Sequence, residues 1–212
     1  MTANGIIFDV DGTLWDSTDT VAEAWTDAIQ HHTQLDMEIN AEILKNVFGK
    51  TMREIANTLF PTLSDKEKMT ILDICYEYEN QLLKTKPGKL YDKVYETLKT
   101  LSKEHPLFIV SNCQCGYIEL LLETTGITPF IQDTLCFGQT NTSKGQTILT
   151  LMKRNHLEKA VYVGDTQGDC DACKEAGIPF IYADYGFGEV KEAPVRIHAF
   201  SELLTLSPNF FR

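Results

Sequence analysis

The sequence predicts an α/β protein, a Rossmann-like, doubly wound parallel sheet into which a run of helices is inserted. Three observations predict it. Short apolar stretches rich in Ile, Val and Phe alternate with helical periodicity over most of the chain, which is the rhythm of βαβ units. A strand-free interval of roughly 70 residues interrupts that rhythm directly after the first apolar stretch. Polar residues cluster where these stretches end, at the carboxyl edge where open α/β sheets bind ligands.

Taken in order, the strand candidates are Gly5 to Val10, Leu107 to Ser111, Thr134 to Phe137, Ala160 to Val163 and Phe180 to Tyr182. Helical patterns at Val94 to Lys103, Tyr117 to Thr124, Gly145 to Lys153 and Asp169 to Ala176 lie among them. Gly126, Gly177, Pro129 and Pro179 mark stops before the following strands. Within the interruption only helices are expected, near Thr20 to His32, Ala41 to Val47, Met52 to Leu59 and Ser64 to Lys84, with Ser17, Thr18 and Ser64 as caps. The expected division is a catalytic core of residues 1–15 and 87–212, with residues 16–86 as a helical cap domain. Its two connections, Leu14 to Ser17 and Thr85 to Gly88, would form a hinge over the strand ends. After Gly186 the tail reads as loop plus one short helix.

Composition narrows the function classes. A chain of 212 residues exceeds a typical single domain of ~100 to 150 residues, and 43% hydrophobic residues suffice for a core. The 19 basic and 30 acidic groups give a net charge of −11, which argues against nucleic acid or an anionic membrane as partner. Neither a signal peptide nor a membrane-length apolar run is visible, so a cytoplasmic protein, monomeric or weakly dimeric, is expected. The six cysteines include Cys113-x-Cys115 and Cys170-x-x-Cys173. The first spacing is too tight for a usual zinc knuckle, and the expectation is reduced thiols.

The richest segment is Ile6-Ile7-Phe8-Asp9-Val10-Asp11-Gly12-Thr13-Leu14. Residues two apart on a strand share a face, so Asp9 and Asp11 are expected to leave it together while Val10 packs inward. Gly12 turns the chain and brings backbone N–H groups near a bound anion. Ser111 and Asn112 end the second strand candidate with groups suited to a phosphate oxygen. Lys144 falls in the first turn of a helix, where the dipole repels a cation. A neighbouring acidic site explains such a placement. Asp165 and Asp169 follow Val161-Tyr162-Val163, and parallel neighbours would bring them to Asp9 and Asp11. At ~4 Å two unit charges repel by about 4 kcal/mol at an effective dielectric near 20, so four carboxylates call for Lys144 and a divalent cation. All-oxygen donors favour Mg²⁺ over zinc.

The order Asp-x-Asp-Gly-Thr-Leu, Ser-Asn, Lys, Gly-Asp-Thr-x-x-Asp resembles the haloacid dehalogenase superfamily, in its phosphatase branch with a helical cap after the first strand. The likeness covers essentially the whole chain. It implies Asp9 as the nucleophile that forms an aspartyl-phosphate and Asp11 as the general acid and base. It further implies that Ser111 and Lys144 bind the phosphoryl group. Mg²⁺ would be held by Asp9, Asp165 and the Asp11 backbone carbonyl, with Asp169 supporting or joining them. Each role makes chemical sense, because a carboxylate attacks a dianionic phosphate only when cations neutralise the approach, and the leaving alcohol needs a proton.

Specificity is expected from the cap segment Phe48-Gly49-Lys50-Thr51-Met52-Arg53-Glu54, which resembles the substrate loop of phosphoglycolate phosphatase and β-phosphoglucomutase relatives. Arg53, one of four arginines, is its candidate carboxylate or phosphate fork. A small phosphorylated metabolite follows as substrate. Phosphoglucomutase-type transfer on the same core is the alternative, and a phospho-accepting receiver-like signalling module is a remoter one that lacks a helical cap. A dehalogenase would lack Asp11. A phosphonatase would carry its Schiff-base lysine where Met52 stands. A glycosidase needs two carboxylates on separate elements.

Overall fold

The computed structural model describes residues 3–193 and 195–206. Strand β1 (Ala3–Phe8) turns into β2 (Trp15–Asp16), after which come helices α1 (Thr18–His32), α2 (Ala41–Lys45), α3 (Met52–Leu59) and α4 (Asp65–Thr85). The chain returns through β3 (Lys89–Leu90) and α5 (Val94–Leu101) to β4 (Leu107–Ser111), α6 (Tyr117–Thr125) and β5 (Ile131–Cys136). It continues with the one-turn α7 (Phe137–Thr140), α8 (Lys144–Arg154), β6 (Leu157–Gly164), α9 (Gln167–Ala176), β7 (Phe180–Ala183) and β8 (Arg196–Ile197). Short 3₁₀ turns lie at Thr128–Phe130 and Phe200–Thr205.

Six strands form one sheet in the order β5-β4-β1-β6-β7-β8, with every pairing parallel. The doubly wound α/β architecture read from the sequence is therefore present. Alternation along β1 shows how the layers are built: Ile6 and Phe8 join a core with Leu98, Leu121 and Phe200, whereas Ile7 faces the opposite core with Ile148, Leu151 and Cys173. Both faces are covered, which a parallel sheet requires. The strand order reverses around β1, so its carboxyl end opens between β4 and β6.

Several elements differ from the sequence expectation. Trp15–Asp16 pairs antiparallel with Lys89–Leu90, so the two connections of the helical insert are hydrogen-bonded to each other. Strand β5 starts at Ile131 rather than Thr134, because its polar Gln132 and Asp133 are tolerated at the sheet edge, where the Asp133 carboxylate takes both Nε and Nη2 of Arg154 at 2.7 and 2.6 Å. Strand β8 adds two residues that no periodicity announces. Ser17 precedes α1 without capping it, whereas Ser64 does accept the Glu67 N–H as a cap of α4. No helix among the described residues is long and apolar enough to cross a membrane. Five of the cysteines are buried, Cys115 is exposed, and all six are free.

Candidate active site

The site begins where β1 ends. Asp9 donates its backbone N–H to the Val163 carbonyl at 2.9 Å, which extends the ladder with β6 and fixes the side chain over the carboxyl edge. Its Oδ1 accepts from Lys144 Nζ at 3.0 Å, and the same ammonium donates to Asp169 Oδ1 at 2.6 Å. Lys144 is 6% exposed, Asp9 2% and Asp169 fully buried, so these are ion pairs out of water. Burial works to lower the Lys144 ammonium, and Asp169 with Asp9 overcomes it, leaving a net upward shift. The lysine that opposes its own helix dipole is thus held by two carboxylates, as the sequence suggested.

Burial, followed by the Asp169 charge, pushes Asp9 up to about 7, against the pull of Lys144. Asp165 is raised well above the usual carboxylate range by burial, then by Asp169 and Asp9. Its oxygens are clamped: Oδ1 accepts from Thr13 Oγ1 at 3.2 Å and Oδ2 from the Phe187 N–H at 2.8 Å. Glycines make that clamp possible. Gly12 has φ +80, and a Cβ there would come within 2.1 Å of Asp165 Oδ2, while one on Gly186 would lie 2.3 Å from Asp165 Cβ. Asp169 serves twice, since its Oδ2 also accepts the Thr166 N–H at 3.0 Å in the capping box that starts α9.

Asp11 departs from the reading. Its carboxylate does not join the other three, because β1 ends at Phe8 and Asp11 instead forms an isolated bridge with Trp15 in the turn. The rule that residues two apart share a face holds only while the strand continues. Three neutral donors converge on Asp11 Oδ1: Trp15 Nε1 at 3.0 Å, Ser17 Oγ at 2.9 Å and Tyr117 OH at 2.7 Å. Burial raises this carboxyl to about 6, with Tyr117, Ser17 and Trp15 holding it down. Ser17, read as a helix cap, is therefore a partner of Asp11.

Asp9 and Asp11 line one cleft together with Ser111, Asn112 and residues of the helical insert. Asn112 does more there than the sequence suggested, for its Nδ2 donates to the Gly49 carbonyl at 2.8 Å and so ties the strand-end loop to the insert. Arg53 is not brought to the cleft. It is exposed, because α3 turns Ile55, Ala56 and Leu59 inward and residue 53 lies on the other face. Phe48, Gly49, Lys50 and Met52 line the cleft instead. Sequence reasoning also missed Trp25, Tyr76, Glu79, Gln114 and Tyr117 on its walls. None of them carries a local signal, since each reads as an ordinary residue of a helix or turn.

Among the described residues, one group could hold a metal ion: Asp9, Asp165 and Asp169 offer carboxylate oxygens within 4.8 Å of one another. Three buried carboxylates against the single Lys144 ammonium leave two negative charges when all are ionised. Hard oxygen donors with that excess fit a hard divalent cation, and no cysteine or histidine belongs to the group.

This geometry can be set beside known proteins. The family model for haloacid dehalogenase-like hydrolases matches residues 6–183. Phosphoglycolate phosphatase of Aquifex aeolicus is 28% identical over 191 residues, which is 86% of this chain and 85% of that protein. Phosphoglycolate phosphatase of Vibrio vulnificus is 28% identical over 196 residues, 86% of this chain and 84% of that one. Among solved structures, a haloacid dehalogenase-like hydrolase of Streptococcus pneumoniae aligns with a TM-score of 0.81 at 22% identity, covering 96% of this chain and 97% of its own. CbbY of Rhodobacter sphaeroides, in complex with xylulose-(1,5)bisphosphate, aligns with a TM-score of 0.78 at 17% identity over 95% and 96% of the two chains, a likeness of fold. The chain belongs to the haloacid dehalogenase-like hydrolase family, on the side whose named relatives are phosphatases.

Proposed function

We propose that the protein is a Mg²⁺-dependent phosphatase of a small phosphorylated metabolite, with Asp9 as nucleophile. The observation that carries this reading is the unlike partnering of two carboxyls in one cleft: Asp9 is paired with an ammonium, and Asp11 with three neutral donors. Asp9 Oδ2 carries no side-chain hydrogen bond among the described residues, and it is the oxygen offered to phosphorus. Lys144 neutralises the approach of the dianion and the equatorial oxygens. Mg²⁺ held by Asp9 and Asp165, with Asp169 and the Asp11 carbonyl in support, supplies further charge neutralisation when bound.

Asp11 is the proton carrier. A carboxyl raised to about 6 is partly protonated near neutrality, so it can give a proton to the leaving alcohol and then take one from the water that hydrolyses the aspartyl-phosphate. Tyr117, Ser17 and Trp15 fix its orientation for both transfers. Ser111, on the wall of the same cleft, completes the phosphoryl cradle; the backbone N–H groups of residues 12 to 15 are taken up inside the turn, by the Trp15 and Val10 carbonyls. The helical insert acts as a cap that selects the alcohol part of the substrate; the names of the relatives make phosphoglycolate one candidate within that class.

The test is release of inorganic phosphate from p-nitrophenyl phosphate and a panel of metabolite phosphomonoesters with Mg²⁺. Wild type should turn over, and Asp9→Asn should fall by at least about 10⁴-fold in kcat. Comparable activity in Asp9→Asn overturns the mechanism. Isomer formation with added glucose 1,6-bisphosphate, in place of phosphate release, would mark a mutase instead.

A further inference from the structure

The wall of the cleft that lies in the helical insert holds a feature that phosphoryl chemistry does not use. Glu79, on α4, is 4% exposed yet lines the cleft with Asp9 and Asp11. Its two oxygens are held apart and fixed: Oε2 accepts from Trp25 Nε1 at 2.7 Å and Oε1 from Gln114 Nε2 at 2.9 Å. Trp25 comes from α1, and Gln114 lies three residues after Ser111 in the loop that follows β4. The carboxyl is thereby braced against both the insert and the loop that carries the phosphoryl-binding serine.

Among the described residues no cationic side chain pairs with Glu79. Neither of its hydrogen-bond partners is charged, and Lys50, the one basic residue lining the cleft, is exposed on the loop between α2 and α3. Burying a carboxylate without a counter-charge costs several kcal/mol. Burial accordingly pushes Glu79 up to about 8, with Gln114 and Trp25 opposing. The surrounding walls include the aromatic residues Trp25, Tyr76 and Tyr117.

We propose that the alcohol part of the substrate carries an ammonium group received by Glu79, so that the preferred substrate class is the phosphomonoester of a small amino alcohol. The proposal rests on the phosphatase reading and narrows it. An ammonium lets Glu79 ionise by supplying the counter-charge that the empty cleft lacks, and it donates to the lone pairs of the resulting carboxylate. A carboxylate in the same place would lose that pairing, and Lys50 is the one basic residue on the cleft wall that could receive it. That disfavours phosphoglycolate for this chain, although its relatives carry that name.

Three two-carbon phosphomonoesters differ chiefly in terminal charge: O-phosphoethanolamine, 2-hydroxyethyl phosphate and 2-phosphoglycolate. On the wild-type protein with Mg²⁺, kcat/KM should fall in that order, with at least about tenfold between the first and the last. In Glu79→Gln the ratio of the ammonium ester to the carboxylate ester should shrink by at least about tenfold, mainly through KM. A wild-type preference for 2-phosphoglycolate or 2-hydroxyethyl phosphate, or an unchanged ratio in a folded Glu79→Gln, overturns the proposal. The wild-type ranking decides by itself if that variant does not fold. Asp9-dependent turnover of p-nitrophenyl phosphate, run alongside, separates the two readings: its absence defeats the phosphatase reading, whereas its presence with the wrong ranking defeats the ammonium site alone.

Discussion

The carboxyl edge of the sheet and the helical insert each bury acid groups, and they neutralise them in opposite ways. At the edge, Asp9 and Asp169 are paired with the ammonium of Lys144, charge against charge. Facing it, Glu79 of the insert is held by an indole and an amide, and Asp11, in the turn that leads to the insert, by an indole and two hydroxyls. Burial raises the carboxyls on both sides, Asp9 as well as Asp11 and Glu79, so the two sides differ in the charge of the partners that hold them and not in the direction of the shift. The difference separates two tasks. The ion-paired side is preorganised for a dianionic phosphoryl group, and the dipole-held side is left able to transfer a proton or meet a charged guest.

The contrast can be broken by moving single groups from one regime to the other. The largest change after loss of the nucleophile should come from Asp11→Asn, which keeps the shape and removes the proton carrier. Its turnover should drop by about 10²- to 10⁴-fold, measured in steady state, with the phospho-enzyme accumulating. A near-normal rate would mean that Asp11 only shapes the turn.

Metal binding probes the ion-paired side without turnover. Saturating Mg²⁺ at ~100 times its Kd should stabilise the folded protein by about 2.7 kcal/mol. Thermal denaturation should show that gain in wild type and not in Asp165→Asn. An equal gain in both would place the cation elsewhere.

A pH series tests the dipole-held side. Glu79 rises from its ordinary 4.5 to about 8 on folding, so between those values the folded state binds more protons than the unfolded chain. Stability therefore declines as pH rises from about 4.5 through about 8, by up to about 1.4 kcal/mol per pH unit. Glu79→Gln cannot ionise and loses this slope. Its melting temperature relative to wild type should increase from pH 5 to pH 8, and parallel curves would show that Glu79 does not carry the linkage.

How legible each region was follows from the same physics. Asp9, Lys144, Asp165 and Asp169 stand at the ends of apolar strands or against a helix dipole, and such placements are visible locally. The divergence of Asp11 was hidden, since it depends on β1 stopping at Phe8. The ribbon of Trp15–Asp16 with Lys89–Leu90 is too short for any periodicity to register. Glu79 lies among Glu77, Tyr78 and Asn80 on a long helix and looks solvated until α1 packs against α4. Arg53 shows the reverse error. Its charge drew attention, while the helical spacing of Ile55, Ala56 and Leu59 already turned it outward.

The central claim, that Asp9 attacks phosphorus, is tested most directly by trapping the covalent state. Asp11→Asn protein mixed with ³²P-labelled substrate and Mg²⁺, then quenched in acid within the first turnover, should carry label on the peptide containing Asp9. That label should be released by hydroxylamine, as an acyl-phosphate is, and be absent when Asp9→Asn is added. First-turnover release of the alcohol with no label on the Asp9 peptide would contradict the account.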